Sequence, residues 1–181
     1  MVSIYLVRHG EASAKWGEDP DPGLSALGRQ QAQQVRDQLE ACSNANIVSS
    51  PLLRAQETAL PLANVLRESM TIDDTYRELP SPVGLSDRQA WLKDFMKQNW
   101  EEQDQRIQAW RDAIWSSLFE IEGDTVIFTH FMVINAVVSR LTNASPTVCC
   151  VPDNGSITQL HLEGHALKLV ELGHQHKTLV N

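Results

Sequence analysis

An arginine and a histidine directly follow the first apolar segment of the chain. Residues 3–7 are a short β-prone run without a turn residue, and Arg8, His9 and Gly10 come immediately after it. This run predicts a buried strand, which accommodates Arg8 and His9 only at its carboxyl end. Gly10 is expected to leave the backbone accessible. A histidine beside a fixed positive charge suits attack on an anion, and phosphate is the first candidate.

Two further strand-to-helix junctions present polar side chains in the same way. Residues 46–49 predict a second strand, and Arg54 lies one turn into the helix that follows. Residues 125–129 predict the clearest buried strand, which runs directly into His130 and a helix over 131–142. Parallel strands place their carboxyl ends at one edge of a sheet, where open α/β proteins bind ligands. We expect the two guanidinium and two imidazole groups to form an anion site there.

The rest of the chain alternates between helix and strand patterns. Ser25 is a favoured N-cap, and the helix predicted over 26–41 places Leu27 on the same face as Ala32, Val35 and Leu39. The other predicted elements are a helix from Pro51 with a kink at Pro61, a strand over 70–75, a helix over 87–99 capped by Ser86, a helix over 104–119, and strands over 156–162 and 166–172. This order predicts one α/β domain over 1–181, with helices flanking a mostly parallel central sheet.

Composition restricts the function classes. Lys and Arg number 15 against 23 Asp and Glu, and the resulting net charge of -8 argues against general binding to nucleic acid or anionic membrane. No stretch approaches the roughly 18 apolar residues of a membrane span, and no signal peptide pattern precedes the first strand. The three cysteines, Cys42, Cys149 and Cys150, cannot build a disulfide framework, which fits a reducing compartment. We expect a cytoplasmic protein.

Three segments resemble the histidine phosphatase superfamily, the phosphoglycerate-mutase-like proteins. They are LVRHGE at 6–11, GLSALG at 23–28 and SSPLLRAQET at 49–58. The pair Thr129-His130 and the sequence NGSIT at 154–158 resemble its later motifs, so the resemblance runs through nearly the whole chain in the right order. It implies a three-layer sandwich of the phosphoglycerate-mutase type.

The resemblance also implies a covalent mechanism. His9 would attack a phosphoryl group and carry it as a phosphohistidine, while Arg8, Arg54 and His130 hold the phosphate oxygens. Clustered cations should disfavour protonation of His9 and keep it nucleophilic. Glu78 stands where the family supplies its general acid, which protonates the leaving oxygen. This arrangement requires no metal and no other cofactor.

Several positions depart from the family pattern. Lys15 stands where mutase-like members usually have an asparagine that binds phosphate, and an ammonium could substitute there. Phe131 replaces the glycine that commonly follows the second histidine and is expected to narrow the pocket. No glycine-rich segment follows Glu78, and the alternative interpretation is a surface carboxylate paired with Arg77. Residues 79–123 are expected to form a helical segment that covers the site and sets specificity.

Several functions are compatible with these features. Hydrolysis of phosphate monoesters is favoured over mutase activity, because the longer substrate segments of the mutases are missing. The substrate is a phosphorylated small molecule or a phosphoprotein, including phosphohistidine, and a non-catalytic phosphate sensor is a further alternative. The oligomeric state is left open.

Other phosphatase chemistries and a metal site are less well supported. No cysteine is followed six residues later by arginine, and Asp19-Pro20-Asp21 follows no apolar strand, so cysteine and aspartate nucleophiles are not indicated. The histidines at positions 161, 165, 174 and 176 do not share one helix face, and no metal site is predicted from them.

Overall fold

The computed structural model describes residues 1–14 and 18–176, which contain one six-stranded sheet and five α-helices. The strands are β1 (Val2–Arg8), β2 (Asn46–Ser49), β3 (Met70–Ile72), β4 (Thr125–Thr129), β5 (Ile157–Glu163) and β6 (Ala166–Glu171). The helices are α1 (Ala26–Leu39), α2 (Leu53–Leu66), α3 (Arg88–Phe95), α4 (Gln105–Leu118) and α5 (Phe131–Thr142), with short 3₁₀ helices at Asp74–Tyr76 and Trp100–Glu102. None of the helices in this part of the chain is long and apolar enough to cross a membrane.

The sheet has the strand order β3-β2-β4-β1-β5-β6. The first four strands pair in parallel, and β5 and β6 add an antiparallel edge beside β1. Arg8 is in register with Thr129, and Ser49 is in register with Phe128. The residues that follow β1, β2 and β4 therefore emerge side by side at one edge of the sheet. The mostly parallel α/β fold predicted from the sequence is confirmed.

Side chains on the two faces of the sheet enter two separate apolar clusters. On one face Ile4 and Leu6 pack with residues of α3, α4 and α5, and Trp100 joins the same cluster. On the other face Val7 and Phe128 pack with residues of α1 and α2. Successive residues of a strand point to opposite faces, so the consecutive apolar residues at the centres of β1 and β4 fit burial on both. The result is the three-layer sandwich that the family resemblance implied.

Helix α1 begins as predicted, but one residue of its buried stripe differs from the prediction. Ser25 is its N-cap, and the Ser25 side chain accepts a hydrogen bond from the Gly28 amide. Leu27, which was predicted on the buried face, is 48% exposed, and Gly28 takes its place in the buried stripe with Ala32, Val35 and Leu39. Gly28 faces inward because its backbone packs directly against the loop that follows β1.

Helix α2 differs from its prediction at the start. It begins at Leu53 and not at Pro51, because the chain remains extended at Leu52 and Asp21 Oδ1 accepts the Leu53 N–H at 2.9 Å. The helix continues through Pro61 to Leu66, held by the buried Ala59 and Leu62 on either side.

The boundaries of two further elements, β3 and α3, also differ from the prediction. β3 ends at Ile72 and not at residue 75, because the Asp73 side chain accepts the Thr75 N–H and starts a 3₁₀ turn. Helix α3 covers only Arg88–Phe95, and its N-cap residue is Asp87 and not Ser86. Helix α4 matches its prediction to within one residue at each end.

Candidate active site

His9 lies just beyond the end of β1 and is fixed at both ring nitrogens. Its Nδ1 is 2.7 Å from the carbonyl oxygen of Gly10, and Arg54 Nε donates to its Nε2 at 3.1 Å. A guanidinium only donates hydrogen bonds, so Nε2 carries the lone pair and Nδ1 carries the hydrogen. Burial lowers the pKa of His9 well below its ordinary value of 6.5, and the charges of Arg54 and Arg8 lower it further. His9 is therefore a neutral imidazole with Nε2 as its basic atom.

His130 follows β4 and faces His9, with 5.2 Å between their ring centroids. Its Nε2 lies 2.7 Å from Ser50 Oγ, and both residues are fully buried. Ser50 Oγ also accepts the Leu52 N–H at 3.3 Å, and the described residues offer its own hydrogen no acceptor besides His130 Nε2, so we assign the Ser50 hydroxyl as the donor to that nitrogen. This leaves the hydrogen on His130 Nδ1, a buried atom without a hydrogen-bond partner among the described residues.

Burial also keeps His130 neutral. It lowers the pKa of His130 well below 6.5, and the neighbouring His9, Arg54 and Arg8 lower it further. A neutral imidazole with its hydrogen on Nδ1 still donates one hydrogen bond, and it does so without adding charge to the arginine pair.

Arg8 is held by the last connection before β5. Its Nη1 donates to the Pro152 carbonyl at 2.8 Å, and its guanidinium carbon lies 5.3 Å from the centroid of the Phe131 ring. The Arg8 Nε is buried and has no hydrogen-bond partner in the described part of the chain. Phe131, which was expected to narrow the pocket, lies against the Arg8 guanidinium at cation–π distance.

Glu78 has a buried carboxyl group that lies against the first turn of α5. It is 2% exposed, and its side chain accepts the Leu79 N–H at 2.9 Å and the Met132 N–H at 3.3 Å. The alternative surface pair does not form, because Arg77 bonds to Asp74 instead. Burial raises the pKa of Glu78, although the two amides and the charges of Arg54 and Arg8 oppose that rise. A carboxyl with a raised pKa suits a general acid.

Gly10 has a packing role rather than the open backbone expected from the sequence. A Cβ at Gly10 would lie 2.5 Å from the carbonyl oxygen of Gly28, and one at Gly28 would lie 2.1 Å from the carbonyl oxygen of Glu11. The first turn of α1 therefore presses backbone to backbone against the loop that carries His9. The Gly10 amide bonds to Thr58 Oγ1 at 3.0 Å, which ties this loop to α2 as well.

Residues 152–155 brace β1 from the opposite side. Asn154 Nδ2 donates to the His9 carbonyl at 3.0 Å, and the Gly155 N–H donates to the Arg8 carbonyl at 3.0 Å. Gly155 has a φ of +72°, a left-handed conformation that glycine adopts without strain. The backbone of both Arg8 and His9 is thus fixed from this segment.

Arg54 combines its bond to His9 with several charged neighbours. Burial lowers the pKa of Arg54, the charges of Glu78 and Asp21 raise it, and the charge of Arg88 lowers it again. Arg88 is half-buried among exposed residues at the start of α3. Arg88 is thus a cation of the segment 79–123 whose charge acts on Arg54.

The site thus unites five of the six residues predicted from the sequence, Arg8, His9, Arg54, Glu78 and His130. The sixth, Lys15, lies outside the described residues. Within residues 1–14 and 18–176, no group of three His, Cys, Asp or Glu side chains could hold a metal ion.

No role was predicted from the sequence for Ser50, Thr58 or Asn154. Ser50 and Thr58 belong to the segment 49–58 that carries the family resemblance, and Asn154 belongs to NGSIT. Their presence in those segments was the available signal. Their partners, His130, Gly10 and His9, are distant in sequence.

Solved structures that include two phosphatases share this fold over almost the whole chain. A phosphoserine phosphatase from Entamoeba histolytica, in complex with 3-phosphoglyceric acid, superposes with a TM-score of 0.76 at 22% identity and 98% coverage of both chains. The Bacillus stearothermophilus protein YhfR gives a TM-score of 0.75 at 24% identity, covering 93% of this chain and 95% of that one. A mycobacterial glucosyl-3-phosphoglycerate phosphatase gives 0.68 at 24% identity, covering 93% and 96%.

Sequence relatives match a shorter region. A probable phosphoglycerate mutase, GpmB, of Salmonella paratyphi C is 36% identical over 89 residues, which are 46% of this chain and 40% of that protein. The corresponding Citrobacter koseri protein is 35% identical over 109 residues, 57% of this chain and 49% of its own length. The model of the histidine phosphatase superfamily (branch 1) matches residues 4–175. The chain therefore belongs to the histidine phosphatase superfamily.

Proposed function

We propose that the chain is a phosphatase that hydrolyses phosphate monoesters through a phosphohistidine formed on His9 Nε2. The observation that carries this proposal is the bond from Arg54 Nε to His9 Nε2. It identifies the basic nitrogen of a neutral histidine, and that nitrogen lies beside two cations. Two further buried donors near it, Arg8 Nε and His130 Nδ1, have no partner among the described residues. Phosphoryl oxygens would satisfy these donors.

In the first half-reaction His9 Nε2 attacks phosphorus and the ester oxygen leaves. The Nε2 lone pair that accepts the Arg54 hydrogen bond must then form the N–P bond, so the guanidinium moves its bond to a phosphoryl oxygen. Arg8 and His130 donate to the other equatorial oxygens, where charge is concentrated in the transition state. The Nδ1–H bond to the Gly10 carbonyl stabilises the positive charge that develops on the His9 ring.

Glu78 is proposed as the proton donor to the leaving oxygen. Its burial favours the protonated carboxyl. After the alcohol departs, the Glu78 carboxylate accepts a proton from water, and the resulting hydroxide attacks phosphorus and releases phosphate and neutral His9. The same group thus acts as acid in one half-reaction and as base in the other.

The segment 79–123 is proposed to set specificity, with Arg88 as its contribution to the site. Arg88 acts electrostatically on Arg54. The names of three similar structures include phosphoserine, 3-phosphoglyceric acid or glucosyl-3-phosphoglycerate. Each of these compounds carries both a phosphate ester and a carboxylate. We therefore favour a small phosphate ester with a second anionic group over a phosphoprotein.

A mutase is the second candidate, because the matched sequence relatives are named as probable phosphoglycerate mutases. A mutase returns the phosphoryl group to a second acceptor, whereas a phosphatase passes it to water. The two differ in product. With 3-phosphoglycerate, hydrolysis releases inorganic phosphate, whereas mutase activity yields 2-phosphoglycerate without net release.

The test is hydrolysis of an activated aryl phosphate in EDTA by the wild-type protein and by His9→Ala. We expect turnover by the wild type, an acid-labile phosphoenzyme after rapid quenching, and neither in the variant. An active His9→Ala variant would exclude the mechanism. If the folded wild-type protein binds phosphate but turns over neither the aryl phosphate nor 3-phosphoglycerate, it is a phosphate sensor instead.

A further inference from the structure

Two adjacent cysteines, Cys149 and Cys150, lie behind the site in the connection between α5 and β5. Both are free thiols, with Cys149 half-buried and Cys150 buried. The third cysteine, Cys42, belongs to the other face of the sheet, where it packs against the apolar cluster of α1 and α2. The two adjacent thiols have no part in the proposed phosphatase chemistry.

A single buried side chain on α5 holds this cysteine pair. Asn135 Oδ1 accepts the Cys149 N–H at 2.9 Å and the Cys150 N–H at 3.0 Å, and Cys150 Sγ lies 3.4 Å from the same oxygen. Asn135 is fully buried and lies just over one turn after His130. The position of the cysteine backbone is therefore coupled to the helix that begins at the site.

The segment after the cysteines contacts the site at two points. The Pro152 carbonyl accepts the Arg8 Nη1 hydrogen bond, and Asn154 Nδ2 donates to the His9 carbonyl. Only Val151 separates Cys150 from Pro152. A rotation of the peptide between the two cysteines would therefore displace the Pro152 carbonyl that binds Arg8.

The two thiols differ in the ways that a redox pair requires. The adjacent Cys150 thiol and the charge of Arg111 lower the pKa of Cys149, and burial opposes them. The adjacent Cys149 thiol and burial both raise the pKa of Cys150. Cys149 is therefore the attacking thiolate and Cys150 the resolving thiol, because reactivity follows thiolate character and access.

We propose that Cys149 and Cys150 form an oxidisable dithiol site whose disulfide loosens the anion-binding site at Arg8. Hydrogen peroxide is the oxidant. Cys149 sulfur attacks one peroxide oxygen, the O–O bond breaks, and hydroxide leaves to form a sulfenic acid. Cys150 sulfur then attacks Cys149 sulfur, and the S–O bond breaks as water leaves with the Cys150 proton. Two thiols and one peroxide give one disulfide and two waters.

The disulfide would be strained and easily reduced. A trans peptide holds the two Cα atoms about 3.8 Å apart. Disulfides usually span roughly 4.4–6.8 Å between Cα atoms, and departures from that range make the bond more reducible. The strain falls on the peptide between the two cysteines, whose N–H bonds to Asn135 Oδ1, and the Cys150 S–H bond to that oxygen is lost outright.

The first test uses Cys42→Ser, in which Cys149 and Cys150 are the only cysteines. Treatment with hydrogen peroxide should lower the intact mass by about 2 Da, the two thiol hydrogens, and dithiothreitol should restore it. The matched control adds Cys149→Ser, which cannot form the bond. A gain of oxygen instead of the loss of two hydrogens in the Cys42→Ser protein would overturn the dithiol.

The second test measures the coupling to the site. Amide hydrogen exchange at Gly155, whose N–H bonds to the Arg8 carbonyl, should be faster in the oxidised than in the reduced Cys42→Ser protein. The dissociation constant of inorganic phosphate should rise about tenfold on oxidation, comparable to one lost hydrogen bond to a charged group. Unchanged exchange at Gly155 in the disulfide form would overturn the coupling. If the reduced protein binds no phosphate, the proposed anion site fails, whereas the mass and exchange results still decide the dithiol.

Discussion

Replacing Ser50 with alanine isolates the contribution of the Ser50–His130 hydrogen bond. The bond joins Oγ to Nε2 at 2.7 Å, and neither residue is exposed to solvent. Ser50→Ala leaves His130 Nε2 buried without a donor, which costs about 1–3 kcal/mol of stability. For a chain of this size that corresponds to a fall of roughly 2–12 °C in Tm.

The effect of Ser50→Ala on activity should exceed what the loss of stability explains. Without the hydroxyl, the hydrogen on His130 is free to move to Nε2, and Nδ1 would then present a lone pair to the phosphoryl oxygens. Loss of one preorganised donor of this kind lowers kcat by about 10²–10³. We expect a fall of that size at temperatures well below the Tm of the variant.

Ser49→Ala is the matched control. Ser49 is also fully buried, and its Oγ donates to the Ser50 carbonyl at 2.9 Å, so its removal has a similar structural cost without a contact to His130. Thermal unfolding and steady-state hydrolysis of an aryl phosphate should show two destabilised variants, of which only Ser50→Ala loses kcat. Wild-type kcat in Ser50→Ala, or equal losses in both variants, would refute the assignment of the His130 hydrogen.

Three further outcomes are expected. Glu78→Gln should slow hydrolysis of alkyl phosphates far more than of activated aryl phosphates, whose oxygen leaves without a proton; equal slowing of both would remove Glu78 from the acid role. Arg88→Gln should raise KM for phosphoserine but not for an aryl phosphate, with the exposed Lys93→Gln as control; equal KM values for phosphoserine in the two variants would remove Arg88 from substrate binding. Because the pKa of His130 is lowered, its contribution to stability is complete above its ordinary pKa of 6.5 and is lost as the pH falls through the lowered value. In urea unfolding, the free energy of unfolding of the wild type should therefore fall by up to about 1.4 kcal/mol more per pH unit below 6.5 than that of His130→Gln. Parallel decreases in the two proteins would contradict this.

The positions of the site histidines could be predicted because they depend on strand ends. A short β-prone run with an apolar centre that ends in polar residues gives both the strand and its terminus, as before His9 and His130. Parallel pairing of β1 with β4 then brings them together without any further signal.

The supporting contacts could not be predicted, because they depend on register. Ser50 reaches His130 only because Ser49 is in register with Phe128, and a slip of one residue would turn its side chain to the other face. The burial of Glu78 likewise depends on a distant contact, the bond from Thr129 Oγ1 to the Tyr76 carbonyl at 2.8 Å. The local sequence around Glu78, with prolines and a neighbouring arginine, is that of a surface turn.

The net charge of -8 is compatible with an anion site, because the electrostatic field at a buried site depends on the charges close to it and not on the net charge of the protein. Exposed carboxylates beyond about 8 Å are largely screened at physiological salt, whereas charges at 4 Å in a protein environment interact about four times more strongly than in water. The charges of Arg54 and Arg8 both act on the buried Glu78 and lower its pKa. A bound phosphoryl dianion would offset those cations and so raise the pKa of Glu78 further. Binding of the anionic substrate would therefore favour the protonated carboxyl that its leaving oxygen needs.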